Sequence, residues 1–131
     1  MARIQQFEDI EAWQKARHLT REIYRVTGAR EFARDYPLRD QIRRACISII
    51  SNIAEGFERD GDREFVQFLS TAKGSGGEVR SQLYVAHDQS YLSGEDYEAA
   101  TMLALDISRL LSGFIRYLRD SEKKGRKFTT A

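Results

Sequence analysis

Few side chains in this sequence of 131 residues could do chemistry: two histidines, one cysteine, and arginines and lysines in two clusters. His18 and His87 are far apart, and no Cys or carboxylate around either has the spacing of a metal site. Neither has a Glu three residues before it, which the Glu-x-x-His pairs of di-iron bundles require. The lone Cys46 cannot form an intrachain disulfide. It lies on an apolar helical stripe with no His or cation paired to it, so it is expected to be a small buried hydrophobe rather than a nucleophile. No catalytic residue, metal or cofactor is expected.

The arginines offer a different chemistry. Arg43 and Arg44 stand side by side in an apolar stretch, where they can contact phosphate or pair with carboxylates such as Asp40 or Glu55. Glu55 reads as such a partner rather than a general base, because no second titratable group is poised beside it. Near the C-terminus, Arg116, Arg119, Lys123, Lys124, Arg126 and Lys127 face only Asp120 and Glu122 over 116–127, a local +4. The chain carries +1 overall, which leaves −3 for the remainder. Such a basic end suits nucleic acid, although cations at a helix C-terminus are also well placed against its dipole. Arg80 and His87 lie near one face of a helix. An Arg followed by His at about this distance resembles the nuclease motif of the HEPN ribonucleases, small helical bundles that cleave RNA at a dimer cleft. Two residues in an Arg-rich chain keep this a distant alternative, and packing at a helix end is the plainer role for His87.

The elements that must position these residues are all helices. The composition, with one Pro, 41% apolar and 31% charged residues, is that of a single domain of moderate size. The organising stretch is 38–57, LRDQIRRACISIISNIAEGF. Leu38, Ile42, Cys46, Ile49, Ile53 and Phe57 recur at three and four, and Ile47, Ile50 and Ala54 form a second apolar line beside them. A helix apolar over more than half its circumference is either the centre of a bundle or faces both a bundle and a neighbouring subunit.

Before it, Ile4 and Phe7 are candidate anchors in a short lead. Asp9 is the expected N-cap of a first helix with Ala12, Ala16, Leu19, Ile23 and Val26 on its stripe. Gly28 is the expected stop, and Pro37 suits the first turn of the second helix. After the turn 60–62, Asp62 is the expected cap of a third helix carrying Phe65, Leu69, Ala72, Gly76, Val79, Leu83 and Ala86, a coiled-coil-like seam. The apolar phase stays in register across KGSGG at 73–77, which predicts one continuous helix over 62–91. With no preceding strand, a phosphate-cradling loop is not expected there. Ser70, Gly74, Gly77 and Ser81 then form a stripe of small residues, a candidate face for close helix packing or oligomer contact. Ser93 with Asp96 has the spacing of a capping box. A fourth helix carries Tyr97, Ala100, Ala104, Ile107, Leu111, Phe114 and Leu118. The expected architecture is all-α, an antiparallel up-down-up-down four-helix bundle over 1–122 with a basic, disordered tail over 123–131. No apolar run is long enough to span a membrane, and the N-terminus lacks the apolar core of a signal peptide, so a cytoplasmic location is expected.

FEDIEAWQKA, QIRRACISIISNIAEGFER and REFVQFLSTAKGSGGEVRSQLYVAHDQSY together resemble the four-helix bundle protein family, also called the large-subunit ribosomal RNA intervening sequence protein family. The resemblance covers nearly the whole chain. It implies an up-down bundle that assembles with itself, as pentameric barrels in the best-known relatives. Some members are encoded within intervening sequences of bacterial ribosomal RNA genes. A related branch, the accessory protein of diversity-generating retroelements, is a basic pentamer that binds nucleic acid and a reverse transcriptase. The present chain is nearly neutral and departs from that branch in charge. The resemblance carries over no catalytic residue. It implies a non-enzymatic homo-oligomeric scaffold, with RNA, DNA, a reverse transcriptase or another protein as partners; a purely protein-binding oligomer is the alternative.

Overall fold

The computed structural model describes residues 3–123 and folds as an all-α, antiparallel up-down-up-down four-helix bundle. The helices are α1 (Glu11–Thr27), α2 (Tyr36–Glu58), α3 (Asp62–Asp88) and α4 (Gly94–Lys123). Each packs on its chain neighbours, and α1 closes the ring against α4. The predicted stripes are the core: Leu19, Ile23, Ile42, Ile49, Ile53, Leu69, Val79, Leu83, Ile107, Leu111 and Leu118 are all essentially inaccessible to solvent. Among the described residues no helix is long and apolar enough to cross a membrane.

The helices are unequal, 17 residues in α1 against 30 in α4. Short 3-10 turns at Phe7–Asp9 and Phe32–Arg34 make up the difference at the two ends of α1. The first corrects the expected cap. The Asp9 carboxylate accepts from the Gln5 and Gln6 N–H groups within that turn, and Ile10 takes the N-cap position of α1 without a side-chain bond. The second turn buries Phe32, whose ring stacks on Tyr91 at 5.2 Å. The Tyr91 hydroxyl donates to Asp35 at 2.9 Å, and Asp35 in turn caps α2 by accepting from the Leu38 N–H. The hydrogen bond to Asp35, more than burial, raises the Tyr91 phenol above its ordinary pKa. One tyrosine thus ties the α1–α2 connection to the α3–α4 link.

Gly28 ends α1 as expected, and Pro37 sits in the first turn of α2. Asp62 is the first helical residue of α3 rather than its cap; that place belongs to Gly61, whose φ of 96° suits glycine. The helix α3 runs unbroken through Gly74, Gly76 and Gly77, then ends at Asp88, three residues short of the expected end. There Ser90 takes a left-handed φ of 59°, its N–H donates to the His87 carbonyl, and the Tyr91 N–H donates to the Ala86 carbonyl. Half of the capping box forms at α4: the Asp96 N–H donates to Ser93 Oγ. The Asp96 carboxylate does not return the bond but pairs with Arg25 of α1 at 2.8 Å.

Where α2 meets α3 the approach is close and partly polar. Ser48 and Ser75 hydroxyls lie 2.7 Å apart, and Asn52 donates to the Ser48 carbonyl and hydroxyl. A β-carbon on Gly56 would sit 2.6 Å from that of Phe68.

Candidate nucleic-acid interface

Two groups singled out for different reasons in the sequence meet in one place. A groove of about 740 Å³ between α3 and α4 is lined by the small residues Ser70, Gly74 and Ser112, by Ile115, and by Lys73, Arg116, Arg119 and Asp120. Ser70 and Gly74 come from the small-residue stripe; Arg116 and Arg119 come from the basic run. Lys73, Arg116 and Arg119 are all exposed. Three cations against one carboxylate give this groove a local positive charge that the chain's net +1 conceals. The helices explain the placement. Ser70, Gly74, Gly77 and Ser81 follow at four, three and four, so they share a face of α3. Arg116 and Arg119 project from the matching stretch of the antiparallel α4.

The stripe does not pack against another helix of the chain. All four of its residues are exposed, and nothing lies within 4 Å of where a β-carbon on Gly74 or Gly77 would stand. The close helix contact made possible by a missing side chain occurs instead at Gly56 on α2.

Arg43 is engaged within the fold. Its Nε donates to Thr27 Oγ1 at 2.7 Å, its Nη2 reaches the Tyr24 carbonyl at 3.5 Å, and its guanidinium lies over the Tyr24 ring at 4.4 Å. Thr27 Oγ1 itself donates to the Ile23 carbonyl. Arg43 therefore satisfies the C-terminal turn of α1, and neither Asp40 nor Glu55 is its partner: Asp40 pairs with Arg39 and Glu55 with Arg59. Arg44 is exposed on α2, away from the groove. Lys123, read from sequence as the start of the tail, continues α4. Lys124, Arg126 and Lys127, with the rest of the expected tail, lie outside the described residues.

The remaining candidates sit apart from one another. His18 is exposed on α1. His87 is exposed at the end of α3, its ring stacked on Tyr97 at 4.1 Å and 16°. Arg80 lies two turns away, half-buried. Cys46 is fully buried, and its thiol is pushed up to about 12 by desolvation, which a hydrogen bond with Thr20 only partly offsets. Sequence reasoning missed Lys73 as a groove cation. Its signal was the same heptad spacing that marks the stripe, since Lys73, Gly77 and Arg80 fall at four and three.

A family model described as 23S rRNA-intervening sequence protein matches residues 8–113. No curated protein matches the sequence. Among solved structures, a crystal structure of a protein of unknown function from the S23 ribosomal protein family of Bacteroides thetaiotaomicron is similar with a TM-score of 0.73. The match has 22% identity and covers 80% of this chain and 95% of that one. At that identity the likeness speaks for the helical-bundle fold alone.

Proposed function

The chain belongs to the 23S rRNA-intervening sequence protein family, and we propose that it is a non-enzymatic, homo-oligomeric cytoplasmic scaffold that contacts RNA or DNA through the α3/α4 groove. The observation that carries this reading is the convergence of Lys73, Arg116 and Arg119 over a floor of small residues. Cations on a small-residue floor let a phosphate backbone come close and displace condensed counterions. A few contacts per subunit give modest affinity; joining copies multiplies it without new contacts. The assembly proposed is a pentamer, the state that the family resemblance implies.

Titration of the full chain against labelled RNA and DNA at two salt concentrations tests the proposal. Binding should weaken steeply with salt, and Arg116→Glu with Arg119→Glu should abolish it while the fold survives, since both side chains are exposed. No binding at low salt would remove the nucleic-acid role. Cleavage of the RNA in the same tubes, lost in His87→Ala, would instead revive a ribonuclease.

The second reading, a protein-binding oligomer without nucleic acid, is favoured by a different surface. Ile47 on α2 is 41% exposed, beside the partly covered Ile50 and Ala54. That apolar line lies on another helix than the groove, so the two surfaces are compatible and can be tested separately.

A further inference from the structure

We infer that the ligand of the α3/α4 groove is a single strand rather than a duplex, held by phosphate contacts at one end and base stacking at the other; the inference rests on the nucleic-acid reading given above. Lys73, Gly77, Arg80, Tyr84 and His87 succeed one another at four, three, four and three, and so share one face of α3. That face leads from the basic groove to a cluster of rings. Tyr97 of α4 stacks on His87 at 4.1 Å and meets Tyr84 edge-on at 6.1 Å. Tyr84 is 60% exposed, so its ring is open to a stacked base. Between the two ends Gly77 leaves open space where a side chain would stand.

From Lys73 to His87 this face extends for about 21 Å at 1.5 Å per residue, the reach of a short run of nucleotides. A cationic track that ends in exposed rings is the arrangement that binds single strands, because every unpaired base presents a face to stack. A duplex hides those faces and would gain only the phosphate contacts. Asp120 is the carboxylate among the groove-lining residues, and it stands at the end away from the rings.

The test uses the full chain, a labelled oligouridylate and an RNA duplex of equal length, each titrated at two salt concentrations. The single strand should bind at least several-fold more tightly. Tyr84→Ala should weaken it about tenfold, the loss of one stacked base, with the salt slope unchanged, and Tyr84→Phe should keep the affinity. Arg116→Gln should instead lower the slope by about 0.7. Equal affinity for strand and duplex, or full affinity in Tyr84→Ala, would overturn the inference while leaving the groove a phosphate site. A changed mass of Tyr84→Ala in solution would also overturn it, assigning the rings to a contact between copies. Failure of both nucleic acids to bind at low salt would remove the parent reading along with it.

Discussion

A methyl group on Gly56 would meet the β-carbon of Phe68 at 2.6 Å and the Phe65 ring at 3.0 Å. Neither neighbour is a free side-chain end: one is fixed to the α3 backbone, and the other packs edge-on against Phe57 and Phe114. Gly56→Ala must therefore push α2 and α3 apart, and a loss of about 1–3 kcal/mol is expected in chemical denaturation. A midpoint equal to that of the parent would show that the helices can part at no cost. Cys46 gives a second residue-level expectation, in pH. Its thiol is raised from 9.0 to about 12 in the fold, so the neutral form is favoured there. Its contribution is complete below the unfolded value near 9 and declines as pH rises toward 12, because the unfolded chain releases the proton first. Stability should fall through that window more steeply in the parent than in Cys46→Ala, and thiol reagents should react slowly with the native protein at neutral pH.

At the scale of the element, α3 carries glycines that the fold of one chain does not require. With nothing near the absent β-carbons, Gly74→Ala and Gly77→Ala should each stabilise the helix by about 1 kcal/mol. A melting curve should rise by roughly 3–5 °C for each; a fall would mean that something outside the chain comes close to this face. The helices were legible because a 3.6-residue period survives any local interruption, and α3 continued through KGSGG for that reason. The helix starts were less legible. Asp9 and Asp62 are good cap types, but capping depends on the direction in which the chain enters, and a 3-10 turn at Phe7–Asp9 and the left-handed Gly61 settle that locally. Spacing showed that Ser70, Gly74, Gly77 and Ser81 share a face. It could not show that the face looks outward, because this depends on how α3 is rotated against α2 and α4. The groove was half legible for the same reason: Arg116 and Arg119 stood out as charge, whereas Lys73 joins them only through the packing of α4. Arg43 stood out too, yet its use inside the fold required the carbonyl of Tyr24 and the hydroxyl of Thr27, 19 and 16 residues away.

On the scale of the whole molecule, the ring of four helices separates two kinds of surface. The α3/α4 side is basic and small-floored, while α2 leaves Ile47 exposed beside the partly covered Ile50 and Ala54. A helix that leaves an isoleucine 41% exposed next to two partly covered apolar residues has a surface suited to a second copy of the chain. If copies meet there, Ile47→Glu places an unpaired carboxylate in the contact and should separate them. Because Ile47 contributes little to the buried core, the separated chain should keep its helical circular dichroism and melt as a folded protein. Sedimentation velocity over a range of concentrations would read the change as a shift from a concentration-stable assembly to a single chain of 15.1 kDa. The same variant links the two surfaces. Each freed subunit retains its groove, so the salt slope per subunit should persist while the overall affinity for a long nucleic acid drops by the avidity lost. An unchanged sedimentation profile would show that the Ile47 face of α2 is not a contact between copies. A drop in nucleic-acid affinity without any change in mass would mean that α2, and not only the α3/α4 groove, touches the ligand.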